Sequence, residues 1–285
     1  MYYHHLMAGK LYIVGTPIGN LEDITLRALR ILKEADVIVC EDTRTTRKLL
    51  SRYGIDKPLL SYHEHNETAR AEEIASLLAE GKSVALVTDA GTPCISDPGY
   101  RAVRLASERG FEVLPVPGPS AAIAALSVSG LPTSGFVFLG FPPRTKKAQA
   151  ELLTRVKDYP ETLIFYESPN RVAKTLAVML DTLGDRNISL GREITKLYEE
   201  TIRGSISEVQ KRLEEKGSVK GEIALVVEGA GKKSAAPDAE AVDGLLEAYM
   251  EEGLSLKDAV KRASEETGAS KSSTYKRALE IWGKV

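Results

Sequence analysis

Apolar positions along this chain follow two alternating rhythms. Short runs such as LYIVG (11–15), ADVIVC (35–40), SVALV (83–87) and FEVLPV (111–116) are nearly continuous and rich in β-branched residues. Such runs predict strands buried on both faces. Helical patterns lie between them. LEDITLRALRILKEA (21–35) repeats apolar residues at Ile24, Leu26, Leu29, Ile31 and Leu32, with Asp23 placed to open the helix. ETARAEEIASLLAEG (67–81) is amphipathic and closes at Gly81. Strand and helix signals in alternation predict a mostly parallel sheet covered by helices.

The rhythm resumes beyond PVPGPS (115–120), a stiff Pro/Gly hinge and the expected domain boundary. SAAIAALSVSG (120–130) predicts a buried helix of small residues. FVFLGF (136–141), TLIFYE (162–167), NISLGRE (187–193) and GEIALVVEG (221–229) predict strands, with helical patterns within 168–183 and 205–216. The expected division is an extension (1–9), an α/β domain (10–116), a second α/β domain (117–230), a linker (231–237) and a helical module (238–285). The module opens with DAEAVDGLLEAYMEEG, six acids and no base. The rest carries seven Lys/Arg against four Asp/Glu. Its pattern SLKDAVKRASEETGASKSSTYKRAL resembles a helix-turn-helix, turning at Gly268 into a basic second helix.

Composition narrows the classes. A chain of 285 residues with 43% hydrophobic content can bury a sizeable core. A net charge of −2 confines any nucleic-acid binding to local patches. Cys40 and Cys94 stand in no CxxC or Cys/His metal spacing, which suits a reducing cytoplasm. No apolar run reaches transmembrane length, so no membrane partner is expected. His63 and His65, two apart in the strand-like SYHEHNE, are expected to share a face. No third ligand is spaced for a metal, and none is expected.

Two loops carry the chemistry. VGTPIGN (14–20) follows the first strand but lacks both GxGxxG and the P-loop GK[ST]. TDAGTPCISDPG (88–99) follows SVALV, with Asp89 at the strand's carboxyl end. Gly91 and Gly99 free the backbone there, while Pro93 and Pro98 stiffen it. Two such strand-end loops predict a crevice lined by backbone. A crevice of that kind suits a neutral or zwitterionic ligand better than a polyphosphate.

Taken together, VGTPIGNLEDIT, EDTR (41–44), SYHEHNE (61–67), TDAGTPCISDPG, PVPGPSA, FYESPNR (165–171), REITKLYEE (192–200) and KGEIALVV (220–227) resemble the tetrapyrrole methylase superfamily. Within it they resemble the branch that 2′-O-methylates a cytidine of 16S ribosomal RNA in the small subunit. The resemblance runs from residue 10 to about 229, and the tail is similar to that branch's C-terminal helix-turn-helix module. It implies a homodimer of two-domain α/β subunits with S-adenosylmethionine in the cleft between domains. By position it implies cofactor contacts from Pro17, Asp89, Gly91, Thr92, Pro93, Ser120, Ala121, Tyr166, Ala224 and Leu225.

The charged motifs suit an RNA partner. Arg44, Arg47, Arg144, Lys146, Lys147, Arg171, Arg192 and Lys196 form basic clusters at loops, and Lys271, Lys276 and Arg277 lie in the basic tail helix. Such cations neutralise phosphates without reading sequence. His65 and Asn66 are expected at the substrate end of the cleft. A ribose hydroxyl attacking a sulfonium methyl must lose its proton, and a positioned base assists. Asp42, Glu67, Glu193 and His63 are candidates, and the sequence does not choose among them. Two rivals stand beside this reading: a relative that methylates a tetrapyrrole precursor, and a non-catalytic ribosome-assembly factor. The basic loops and tail weigh against the first; the intact Asp89 loop weighs against the second.

Overall fold

The computed structural model describes residues 9–217, 219–231, 239–267 and 269–283. Residues 1–8 of the expected extension, the linker from 232 on and the turn residue Gly268 lie outside the described residues. The chain divides after Gly229 into two compact units.

The larger unit holds two five-stranded sheets. The first contains β1 (Lys10–Val14), β2 (Val37–Cys40), β3 (Leu59–Ser61), β4 (Val84–Leu86) and β5 (Glu112–Val116), in the order β3-β2-β4-β1-β5. Every pairing in it is parallel. Helices α1 (Leu26–Glu34), α2 (Thr43–Arg52), α3 (Glu67–Ala79) and α4 (Tyr100–Glu108) connect the strands. Alternate strand residues feed two cores: Val14, Ile38 and Val87 pack with Ile31, Leu32 and Leu50, while Leu11, Val39 and Leu86 pack with Ile74, Leu78 and Ala102. Helix α1 opens at Thr25 rather than Asp23. The Thr25 hydroxyl accepts the Ala28 N–H at 3.0 Å, and Asp23 sits in a short 3-10 turn before it. His63 and His65 do not lie on a strand: β3 ends at Ser61, and the chain turns through 64–66 into α3.

The second sheet is mixed. Helix α5 (Ala121–Ser129) leads into β6 (Phe136–Phe138), α6 (Lys146–Val156), β7 (Thr162–Glu167), α7 (Val172–Leu183), β8 (Asn187–Arg192), β9 (Glu200–Ser205), α8 (Ile206–Lys216) and β10 (Ile223–Val227). The order is β6-β7-β10-β8-β9, parallel only between β6 and β7. Strand β9 carries a single buried apolar residue, Ile202, and so gives no strand signal in the sequence. Central β10 is buried throughout. Its Ala224 and Val226 face α5, while Leu225 and Val227 face the core under α7 and α8.

The smaller unit is helical: α9 (Ala239–Glu251), α10 (Leu256–Thr267) and α11 (Lys271–Trp282). Val242, Leu246, Ala259, Ala263 and Ala278 form its core. Ser270 caps α11 by accepting the Ser273 N–H. Among the described residues, no helix is long and apolar enough to cross a membrane, and no group of three His, Cys, Asp or Glu could hold a metal ion.

Candidate functional site

The loops at the carboxyl ends of β1, β4 and β5 are locked to one another. Thr16 N–H donates to Gly91 O at 2.9 Å and Gly91 N–H returns a bond to Thr16 O at 3.1 Å. The Thr16 hydroxyl donates to Thr88 O at 3.1 Å. Gly15 and Gly118 touch backbone to backbone. The β4 loop holds two non-glycine residues at positive φ, Cys94 (72°) and Ser96 (64°). Each costs of order 1 kcal/mol and persists only where the surroundings impose it.

Between these loops and the second sheet lies a cavity of about 370 Å³, a size that suits a small-molecule ligand. The first sheet's side contributes Ile18, Gly91, Thr92, Ile95, Ser96 and Asp97. The second half contributes Ser120 and Ala121, Phe141, Tyr166 to Pro169, Ile194 and Gly221 to Ala224. Tyr166 is an anchor of this wall. Its hydroxyl accepts the Ala122 N–H at 3.0 Å and so caps α5, whose own Ser120 makes no side-chain cap. Its ring stands edge-on to Phe138 and Phe141, at 4.9 and 5.6 Å between centroids. Burial pushes the Tyr166 hydroxyl's pKa above its ordinary value.

Of the ten residues expected at the cofactor, Gly91, Thr92, Ser120, Ala121, Tyr166 and Ala224 line this cavity. Pro17 and Pro93 are buried in their loops and do not line it. Leu225 points the other way, into the core under α7, because neighbours on a strand face opposite sides. Asp89 does not line the cavity either: its carboxylate accepts the Asp42 N–H at 3.2 Å and ties the β4 loop to the end of β2.

None of the four candidate bases lines the cavity. Asp42 caps α2 and pairs with Arg44 at 2.7 Å, which holds its carboxyl down at about 2. Glu193, at φ 52°, accepts the Glu222 N–H and the Lys196 ammonium, which hold its pKa below the usual range. Glu67 is a clasp, accepting from Tyr62 Oη, Gly99 N–H and Arg101. His63 faces the Asn66 amide at 3.2 Å and leaves Nδ1 buried with no partner among the described residues.

Several residues expected at the RNA have partners within the fold. Arg171 donates to Pro142 O and Pro143 O and lies 3.4 Å from the buried Glu167. Arg192 binds Glu200 and Lys220 O, Lys196 bridges Glu193 and Glu222, and Asn66 holds the turn by accepting His63 N–H. Arg277 pairs with Asp243 of α9. In each case a nearby acceptor occupies the cation or amide, which residue type alone does not reveal. Arg44, Arg47, His65, Arg144, Lys146, Lys147, Lys271 and Lys276 are exposed.

Sequence reasoning missed Asp97 and Phe141. Both stand inside quoted segments, but nothing local distinguishes Asp97 from Asp89. Burial, together with the charges of Glu41 and Asp89, pushes the Asp97 carboxyl up to about 6. The Thr88 hydroxyl donates to Glu41 Oε2 at 3.1 Å and acts on Asp97 in the opposite direction, favouring its ionised form.

Known proteins share both units. The family described as Tetrapyrrole (Corrin/Porphyrin) Methylases matches residues 10–210, and the RsmI C-terminal HTH domain matches residues 235–281. A relative from Halalkalibacterium halodurans, named Ribosomal RNA small subunit methyltransferase I, is 47% identical over 94% of this chain and 93% of its own. Its namesake from Escherichia coli O157:H7 is 45% identical over 96% of both chains. The namesake from Thermotoga maritima is 52% identical over 78% of this chain and 99% of its own. Among solved structures, the cobalt precorrin-4 methyltransferase CbiF superposes with a TM-score of 0.56 at 19% identity, over 78% of this chain and 95% of that one. A diphthine synthase superposes at 0.61 and 15% identity, over 78% of this chain and 90% of that one. These two show a shared fold.

Proposed function

The chain belongs to the tetrapyrrole methylase family, and from that premise we propose that it transfers the methyl group of S-adenosylmethionine to small-subunit ribosomal RNA, at the ribose 2′-oxygen of a cytidine. The observation that carries the reading is one mainly apolar cavity built by both sheets, whose lining residue Phe141 leads directly into the exposed cations Arg144, Lys146 and Lys147.

The residues present fit the cofactor. Among the described residues the lining has no lysine or arginine, so it does not suit a polyphosphate. Glu167 and Glu222, paired with Arg171 and Lys196, leave the lining without an excess of positive charge, so it can admit a sulfonium cation. Ala121 and Ala224 leave room where a ligand presses on backbone. S-adenosylmethionine supplies a methyl on a positive sulfur that departs as a neutral thioether. The chain's own part is alignment and exclusion of water by Ile18, Phe141, Tyr166 and Ile194. Exposed Arg47, Arg144 and Lys147 attract phosphates, while Lys271 and Lys276 do so on the tail. Stacking within a regular helix restricts access to a ribose hydroxyl, so the target lies in an irregular segment. The homodimer belongs to the same proposal, supported by Ile123 and Val128, which stand about half exposed on α5.

The test is methyl-labelled S-adenosylmethionine with small subunits lacking the modification, naked 16S RNA and a tetrapyrrole extract in parallel. Label surviving alkali in a dinucleotide supports ribose methylation. Label in an RNA base overturns the 2′-oxygen assignment, and label confined to the extract overturns the RNA reading.

A further inference from the structure

Among the described residues three carboxylates line the cavity, and two are committed. Glu167 is fully buried, accepts the Ser168 N–H and the Thr175 hydroxyl, and lies against Arg171. Glu222 pairs with Lys196 at 3.1 Å. Asp97 has no basic partner among the described residues. It is held by the strained stretch that places Cys94 and Ser96 at positive φ, and Pro98 and Gly99 follow it. Gly99 in turn is pinned by Glu67, and a Cβ there would meet Cys94 Sγ at 2.6 Å. A flexible loop would let a lone carboxylate swing out to water; this loop holds it in place.

We propose that Asp97 is the catalytic residue that accepts the hydroxyl proton of the substrate during methyl transfer. The inference rests on the methyltransferase reading above. The nucleophile's oxygen bonds to the methyl carbon as the carbon–sulfur bond breaks, and that bond's electron pair stays on sulfur. The O–H proton passes to Asp97 Oδ and from there to solvent. The surroundings suit this exchange. The Thr88 hydroxyl donates to Glu41, and a proton on Asp97 relieves its repulsion from the Glu41 and Asp89 carboxylates. The groups facing Asp97 are Glu41 at the end of β2, Thr88 and Asp89 after β4, Cys94 on its own loop and Tyr166 on β7. The acids among them raise its affinity for a proton without making it hold one at neutral pH.

The test is single-turnover methyl transfer to small subunits lacking the modification, from pH 5 to 8, beside calorimetric S-adenosylmethionine binding. Wild type is expected to lose rate below about pH 6, with a slope of one proton. Asp97→Asn is expected to lose at least about a hundredfold in rate at pH 8 with cofactor affinity unchanged, and Asp97→Glu to recover part of it. A flat wild-type profile overturns the proposal without any variant. So does an Asp97→Asn rate within a few-fold of wild type, or a loss of cofactor affinity, which would make Asp97 a ligand of the cofactor's amino group. A wild type inert on RNA fails the functional reading instead, and this inference with it.

Discussion

Gly15 and Gly118 meet backbone against backbone: a Cβ built on Gly15 would stand 2.8 Å from the Gly118 Cα. The contact joins the end of β1 to the end of β5 and brings Ser120 and Ala121 to the cavity wall. Neither glycine is needed for positive φ; both are needed for closeness. Gly15→Ala must therefore push two loops apart. The expected cost is about 1–3 kcal/mol, as in other overpacked sites, and weakened S-adenosylmethionine binding should accompany it. Gly244→Ala is the counterpart, since nothing crowds that position in α9 and alanine favours helix by up to about 1 kcal/mol. Thermal unfolding of both variants checks the pair, and an unchanged midpoint for Gly15→Ala would refute the close contact.

Much of this architecture is readable from pattern alone, because buried parallel strands leave continuous apolar runs and strand-end loops leave Gly, Pro and Asp. The loop at 88–99 stands out for that reason. What the pattern does not carry is partnership. Arg171 finds Glu167 four residues back, and Arg277 finds Asp243 on a helix 34 residues away. On paper both are free cations. Asp97 is the reverse case, since its distinction lies in having no basic partner among the described residues. Position in a motif puts Leu225 at the cofactor, but alternation along β10 turns its side chain into the core. Strand β9 escaped because an edge strand with one buried side chain has no period to read.

Cys94 lies between the loop's structural and chemical roles. Burial pushes its thiol up to about 11, and the charges of Glu67 and Asp97 act in the same direction. At pH 8 about one molecule in a thousand carries the thiolate, the reactive form. Native protein should therefore resist iodoacetamide at Cys94 and react fully once unfolded in urea. Mass spectrometry of the peptide reads the outcome; rapid native alkylation would show that the loop opens.

The helical unit separates charge that docks from charge that braces. Lys271 and Lys276 are exposed on α11, whereas Arg277 is tied to Asp243. If the two lysines contact phosphate, each replacement by glutamine should lower the slope of log affinity against log salt by about 0.7–0.9. Arg277→Gln should instead lower the unit's melting temperature, with little change in the salt slope once folded. Filter binding of small-subunit RNA between 50 and 200 mM salt, roughly the range where such contacts are read, compares the three. Equal slopes for wild type and both lysine variants would remove α11 from the RNA surface.

Asp97 makes a claim on stability as well as on chemistry. Its carboxyl titrates near 6 in the folded protein, against an ordinary 3.8. Between those values the folded state binds more protons than the unfolded one, so stability falls as pH rises. The contribution is whole below about 3.8 and gone once pH has passed about 6. Asparagine in its place does not titrate. The difference in urea midpoint, Asp97→Asn minus wild type, should thus grow from pH 4 to pH 7 and then level off, with the variant the more stable at pH 8. Asp42 and Glu193, whose carboxyls are held low, shift with pH in the opposite sense. They do so equally in both proteins and cancel in the difference wherever the sites are independent. A difference that is constant with pH would show that the carboxylate is not held against its preference. A growing one, alongside lost turnover, is the pattern of a residue kept for function at the expense of stability.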